Sequence, residues 1–371
     1  MDPYFLQIEM LPAMHGDCLW IEYGRGAVAR RLLIDGGPIG AYAALQRRME
    51  QLPEGDRLFE LMVLTHVDTD HVDGLVRLFA QPRPAWQFDV RDVWFNGWKH
   101  LEQQTLGANQ GEFFSALIEN RLGAGRWNKA FGGDAVVVPE EGPLPRITLK
   151  NGPTLTLLSP TRAKLDRMRE MWRKTLTRFA PGDLEAAWAA LATQKKYLTD
   201  KTLLGSTPEL DARLLRQALP DRAVPNGASI AFLLEYHGMR LLLLGDAHPG
   251  LIVASLKRLL RERGQRRLQV DAVKMAHHGS KSNTSDALLA LIESPRFLIS
   301  SNGAIFGHPD DEAIERIIVR SVVQPPELHF NYRSERTAPW DDDARRSELG
   351  YRTCYNPQPD APMVLRMERT D

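Results

Sequence analysis

Between Thr65 and Gly74 the chain reads Thr-His-Val-Asp-Thr-Asp-His-Val-Asp-Gly, so four groups able to bind a metal (His66, Asp68, Asp70 and His71) fall within six residues. They follow the apolar run Leu61-Met62-Val63-Leu64, which reads as a buried strand whose carboxyl end opens into a loop. Mixed imidazole and carboxylate donors suit zinc, manganese or non-haem iron better than calcium or magnesium. A solvated turn would also explain Asp and Thr here, were it not for two further clusters. Leu241–Leu244 is a second apolar run and ends in Gly245-Asp246, where a carboxylate can bridge two cations about 3.5–4 Å apart. A third strand, Val273-Lys274-Met275-Ala276, leads to His277-His278-Gly279-Ser280. Three strands, each delivering ligand chemistry to its tip, predict one site gathered from loops on a rigid scaffold.

The succession His-x-Asp-x-Asp-His, Gly-Asp, His-His-Gly-Ser resembles the metallo-β-lactamase superfamily. Within it, the sequence is most similar to the metallo-hydrolase domain of DNA-uptake competence proteins and their stand-alone relatives. His15-Gly16-Asp17 resembles an early Gly-x-Gly-Asp turn, with His15 where the family usually has Gly, and Leu32–Gly37 resembles its strand and Asp-Gly-Gly turn. Asn226–Ile230 resembles an Asn-x-x-Ser segment, and Ser300–Gly303 with Gly307-His308-Pro309 a late Ser-x-Gly and Gly-His-Pro pair. Residues 5–95 and 145–320 carry the resemblance.

The resemblance implies an αββα sandwich of the α/β (four-layer α+β) class, holding two divalent metal ions, zinc or manganese. His66 and Asp68 would face one ion, Asp70 and His71 the other. Asp246 would bridge, and His277 or His278 would complete the ligands of the second ion, with His277 taken as the ligand and His278 as a catalytic partner. Asp70 and His308 are the other catalytic candidates in a hydrolysis driven by a metal-activated hydroxide. Two departures stand out. Asp68 replaces the commoner His, a hard anionic oxygen that tilts the site from zinc towards manganese. No His in a Gly-rich context lies between the first cluster and Asp246; His100 and His237 fall in that interval and read as structural.

Ser280, Lys281, Ser282 and Asn283 follow the paired histidines at an expected helix start, Asn283-Thr284-Ser285-Asp286. Donors at a helix amino terminus suit an anion, and for Ser282-Asn283 plain capping accounts for the same residues. The expected substrate is therefore a nucleic acid or other phosphodiester. A second reading is a small-molecule hydrolase acting on a lactone, thioester, cyclic nucleotide or phosphorylcholine ester. A third is a regulatory or effector subunit of a bacterial defence system.

The elements that must position these groups follow from periodicity. Strands are expected in a hairpin over 5–35 and at 61–66, 90–96, 146–149, 154–158, 229–235, 239–245, 272–275 and 297–300. Helices are expected at 41–52, 72–80, 251–263 and 285–291. Residues 98–135 read as helical, with Phe113, Phe114, Leu117 and Ile118 at helical spacing. Residues 161–222 read as a helical insert, a lid or docking arm for a protein partner, with Leu165, Met168, Met171, Trp172 and Leu176 in register and a second helix at Ala186–Ala192 beyond Pro181-Gly182. The insert carries 13 Lys and Arg against 8 Asp and Glu, and Lys257–Arg267 is a denser basic stretch. The tail, 325–371, reads as a closing segment ending in a strand at 363–367. All 371 residues are expected to form one domain.

Acidic and basic residues balance at 47 each, which argues against a chain coated by nucleic acid or bound to a membrane surface. Two cysteines, Cys18 and Cys354, give no disulfide framework and fit a reducing cytoplasm. No apolar window reaches the roughly 18 residues of a membrane helix. Nothing in the sequence fixes an oligomeric state.

Overall fold

Alternating apolar residues decide how the layers stack. The computed structural model describes residues 2–81, 88–101, 109–175, 179–180, 182–198, 223–356, 358 and 360–370. The chain opens with antiparallel strands β1 (Tyr4–Met10), β2 (Leu19–Arg25) and β3 (Val28–Ile34). Helix α1 (Tyr42–Glu50) and strand β4 (Leu58–Phe59) lead to β5 (Leu61–Val63), parallel to β3. Helix α2 (Thr69–Ala80), strands β6 (Asp89–Val90) and β7 (Val93–Trp94), and helix α3 (Asn109–Leu122) follow.

The second half begins with β8 (Arg146–Thr148) and β9 (Thr154–Ser159). Helices α4 (Arg162–Thr175), α5 (Leu184–Leu191), α6 (Lys195–Leu198) and α7 (Val224–Gly227) come next. The hairpin β10 (Ala231–Tyr236) and β11 (Met239–Leu243), helix α8 (Pro249–Arg263), β12 (Leu268–Gln269) and β13 (Ala272–Lys274) continue the chain. After α9 (Asp286–Leu289), β14 (Ile292–Glu293) and β15 (Arg296–Ile299) come α10 (Asp311–Arg320) and β16 (Glu327–Phe330). Helix α11 (Asp343–Leu349), β17 (Arg352–Tyr355) and β18 (Met363–Arg369) end it.

One sheet runs β18-β1-β2-β3-β5-β7 and the other β17-β16-β15-β13-β11-β10-β9-β8. Successive strand residues face opposite ways. Leu32, Ile34, Leu61 and Val63 accordingly join Leu155, Leu157 and Phe232 of the second sheet in one buried cluster. Trp20, Leu33, Met62 and Leu64 instead meet Leu45, Leu75, Phe79 and Phe114 of α1, α2 and α3. Ile252, Leu256 and Leu259 of α8 and Ile314 and Ile317 of α10 are buried with the second sheet. The result is the expected mixed α/β sandwich, with helices outside two facing sheets.

Several boundaries differ from expectation. Helix α2 starts at Thr69 rather than Val72, because Asp68 takes the extended cap position; Asp70 and His71 thus sit in the first helical turn. The strand expected at 90–96 is the two short pieces β6 and β7. The helix expected at 285–291 is the single turn α9, capped by Ser285, whose side chain accepts from the Leu288 N–H. The segment 98–135 contains α3 between short 3-10 turns, and its residues 102–108 lie outside the described residues. In the insert, Leu176, Pro181 and residues 199–222 lie outside them too. Leu165, Met168 and Trp172 of α4 are buried in the cluster of α2 and α3, so that face is filled from within the chain. The tail supplies β16 and β17 to one sheet and β18 to the other. No helix among the described residues is long and apolar enough to cross a membrane, and both cysteines are free thiols.

The end of β3 presses directly on α2. A Cβ at Gly36 would lie 2.3 Å from the Leu75 nitrogen, and one at Gly74 would lie 2.0 Å from the Gly36 oxygen. These are backbone-to-backbone contacts, which cannot yield as a side chain can. Gly74→Ala is therefore expected to cost about 3 kcal/mol, the upper end of overpacking penalties. The check is a lower urea midpoint with an unchanged m-value.

Candidate metal centre

Parallel strands end together, so the carboxyl ends of β3, β5, β11, β13 and β15 bring their following residues to one edge of the sandwich. The edge is stitched by backbone bonds: Ile230 N–H to Thr65 oxygen at 3.0 Å, and His277 N–H to Gly245 oxygen at 3.0 Å. The first turn of α2 is admitted to it by Gly16, where a Cβ would lie 1.9 Å from the Asp70 carbonyl oxygen.

At this edge the Asp246 Oδ2 lies 3.8 Å from His66 Nε2, 3.6 Å from His71 Nε2, 3.9 Å from His277 Nε2 and 3.8 Å from His278 Nε2. Asp70 Oδ2 lies 3.7 Å from His71 Nε2 and 3.5 Å from His278 Nε2, and Asp68 Oδ2 lies 3.6 Å from His66 Nε2. These spacings exceed ordinary hydrogen bonds of about 2.7–3.2 Å. They approach the separation of roughly 3.3 Å between ligand atoms sharing a tetrahedral ion at about 2.0–2.1 Å.

The other ring nitrogens explain the orientation. His71 Nδ1–H donates to Asp35 Oδ2 at 2.8 Å. Thr65 donates its backbone N–H and its hydroxyl to the two oxygens of the same carboxylate, both at 2.7 Å. The Thr65 oxygen in turn accepts from His66 Nδ1–H at 3.0 Å. His278 Nδ1–H donates to the Ser300 carbonyl at 2.9 Å. With every Nδ1 engaged, each Nε2 is turned to the centre, the orientation a metal ligand needs once its proton is displaced. His66 Nε2, His71 Nε2, His278 Nε2 and Asp246 Oδ1 are all buried without a hydrogen-bond partner. The three orphaned imidazole nitrogens, each 3.6–3.8 Å from Asp246 Oδ2, fit divalent cations, and two triads meet the distance test: His66 with His71 and Asp246, and Asp70 with His71 and His278. A third, Asp17 with Asp35 and His71, is already satisfied by Lys274, Ser300 and Thr65.

The two consecutive histidines sit in the left-handed region, at φ 48° and 54°, which costs non-glycine residues roughly 1–2 kcal/mol each. This bend aims both rings at the same acid. His278, fully buried, falls in the triad with Asp70 and His71. His277 is more exposed and faces His308 at a ring distance of 5.1 Å.

The loop expected to receive an anion is arranged otherwise. Asn283 is buried; its amide donates to the Ala247 carbonyl at 3.1 Å and its oxygen lies 3.3 Å from His277 Nδ1, so it braces the centre. The Lys281 ammonium pairs with Glu312 at 2.9 Å, Ser280 is buried, and Ser282 is exposed. Because Ser285 caps a one-turn helix, no helix amino terminus points from Ser282-Asn283. His237 stacks on Tyr4 at 3.5 Å in the hairpin turn remote from Asp246, and His100 packs edge-on against Trp127 at 4.8 Å. Neither joins the centre, as expected. In the early turn it is Met14, not His15, that occupies the first glycine's place, with a φ of 56°; His15 is the intervening residue, buried beside Phe306.

Sequence reasoning quoted Asp17 and Asp35 within motifs but assigned them no task. Asp17 forms a buried ion pair with Lys274 at 2.8 Å and also accepts from the Ser300 hydroxyl. Its signal was an acid directly after a glycine turn, indistinguishable in sequence from a loop cap. Burial alone would push Asp17 up, but Lys274 and His278 outweigh it and hold the carboxyl far below the usual range. Burial would likewise lower His278, yet Asp17 and Asp246 raise it to about 9. His71 is held well above its ordinary value by Asp246, Asp70 and Asp35 against the same burial.

No protein-family model matches the sequence, and no curated protein does either. Among solved structures the chain is similar to the metallo-β-lactamase fold protein YhfI from Bacillus subtilis, with 9% identity over 99% of this chain and 100% of that one at a TM-score of 0.41. It is similar to Zn²⁺-bound PqqB from Methylobacterium extorquens, with 11% identity over 97% and 99% at a TM-score of 0.37. It is also similar to the CmlA β-hydroxylase E377D mutant, with 12% identity and a TM-score of 0.38, covering 98% of this chain but 54% of that one.

Two outcomes follow from the geometry. Asp35→Ala removes the acceptor that orients His71 and holds Thr65, and should weaken metal binding about 10–100-fold, read by chelator competition. In the metal-free protein a proton occupies His278 up to about pH 9, and a metal must displace it. Affinity should therefore rise with pH through the neutral range, about tenfold per unit for each proton displaced, and fall as the solution is acidified. An affinity flat between pH 6 and 8 would contradict this assignment.

Proposed function

We propose that this chain is a metal-dependent hydrolase acting on phosphodiesters, with nucleic acid the leading substrate class. The observation that carries the reading is that the unpartnered Nε2 atoms of His66, His71 and His278 each lie 3.6–3.8 Å from the buried Asp246 Oδ2. His66, Asp68, Asp70, His71, His278 and Asp246 would hold two divalent ions. When bound, such ions supply an acidified water and positive charge opposite a phosphoryl oxygen. Three carboxylates in that set offset all but one of the four charges of two divalent ions, which favours an anionic substrate over a neutral lactone or lactam.

The chain's own residues divide the remaining work. Asp70, held ionised by His71 and His278 despite its burial, can orient the attacking water. His308 lies beside His277, with its Nδ1 3.5 Å from Asp310 Oδ2. Burial pushes this imidazole below its ordinary value, so it meets the substrate neutral, able to hydrogen-bond a phosphoryl or leaving oxygen.

A second reading, a hydrolase of small esters or cyclic nucleotides, is favoured by the balance of 47 acidic and 47 basic residues, since nucleic-acid binders tend to be basic. The deciding assay offers bis(4-nitrophenyl) phosphate, single- and double-stranded DNA, RNA and a lactone to protein loaded with Zn²⁺ or Mn²⁺. Diester cleavage reduced at least about 100-fold by Asp70→Asn is expected, in line with the loss of a positioned catalytic group. Lactone turnover without diester turnover would overturn the phosphodiesterase reading.

A further inference from the structure

Beside the metal centre lies a cleft of about 310 Å³ lined by Lys164, Arg167, Val224, Gly227 and His248. We propose that it is an anion subsite taking the phosphate next along the strand from the scissile one, an inference that rests on the phosphodiesterase reading above.

Three observations place a phosphate there. First, Lys164 and Arg167 stand one helical turn apart on α4, and neither has a carboxylate partner among the described residues. The basic stretch on α8 differs: Arg258 pairs with Glu262, and Arg263 with Glu235 at 2.5 Å. Second, Lys164 is held rather than mobile. Its ammonium donates to His248 Nδ1 at 2.8 Å, and His248 Nε2–H donates to the Ala223 carbonyl at 3.2 Å. The imidazole is thus a neutral strut that fixes a cation without cancelling its charge. Gly227 closes the joint, since a Cβ there would lie 2.9 Å from His248 Cε1 and 3.3 Å from Lys164 Cδ. Burial, and then the charge of Arg167, lower the Lys164 pKa, a cost that a bound anion would relieve. Third, the cleft adjoins the centre along the chain on two sides. His248 is two residues past Asp246, about 7 Å of backbone at most. Gly227 is two residues before Ser229, whose Oγ accepts the Asp246 N–H at 3.1 Å.

A substrate with one phosphate would reach the metals alone, whereas a strand would reach both. The insert then confers a preference for oligonucleotides over isolated diesters, and the cation pair sets which side of the scissile bond is gripped.

The test is equilibrium binding of a labelled phosphorothioate pentathymidylate, which resists hydrolysis, to the metal-loaded full-length chain. Lys164→Gln with Arg167→Gln should weaken binding about tenfold and lower the salt slope by about 0.7, the share of one phosphate contact on a single strand. Lys257→Gln with Arg266→Gln removes equal charge elsewhere and should change affinity less than twofold. Equal weakening by both pairs, no weakening by the first, or no binding by the wild type would each overturn the subsite. Hydrolysis of bis(4-nitrophenyl) phosphate by the wild type separates the two claims. Selective loss of binding without any diester turnover would leave the subsite standing and remove the catalytic reading.

Discussion

Four carboxylates, Asp17, Asp35, Asp70 and Asp246, are buried within one edge of the sandwich. Among the described residues the only Lys or Arg paired with any of them is Lys274. Anions taken out of water need partners, because the penalty for an isolated buried charge is several kcal/mol. Here the balance comes from imidazoles that can carry protons, and from whatever cation replaces those protons. That unmet charge explains why His71 and His278 are held protonated in the absence of metal and why Asp70 and Asp246 stay ionised though buried. A fold spending this much buried polarity at one seam has built an exchange site for cations, and the sandwich is the frame that keeps the acids from drifting apart.

Control of direction runs outward in steps. Asp35 fixes His71 directly and His66 through Thr65. Asp17 is anchored by Lys274 across the two sheets, since its loop leaves β1 and Lys274 ends β13. Ser300, at the end of β15, holds both Asp17 and His278. The three imidazoles His66, His71 and His278 are thus oriented by residues at the tips of three different strands. Small shifts between the sheets would reach every donor atom together.

Much of this was legible because chemistry and periodicity coincided. Short apolar runs ending in His or Asp announced β5, β11 and β13, and the motifs named the residues that meet. What the sequence left open depends on backbone geometry. The choice between His277 and His278 turns on two left-handed residues in succession, which no residue pattern announces. The start of α2 was set three residues too late because Asp68 reads equally well as a ligand and as a cap, and it occupies the cap position. The Lys281–Asn283 loop looked like an anion cradle, but Glu312, far along the chain, takes up the lysine. Pairing over such separations is invisible to local patterns.

The insert is the part whose meaning changes most once packing is known. Among its described residues, Leu165, Met168, Trp172, Ala187 and Tyr197 are buried in the cluster that α2 and α3 form. Past α5, Tyr197 Oη and Lys196 Nζ hold the buried Asp73 at 2.5 and 3.0 Å. Asp73 lies on α2 one turn beyond Asp70. At its near end, α4 leans Lys164 against His248, two residues past Asp246. The insert therefore grips both of the chain segments that carry the acids of the centre, one from each half of the sandwich. An element fastened at those two points is positioned to be part of the site's frame. Removing it would expose the apolar face of α2 and loosen the turn that places Asp70 and His71.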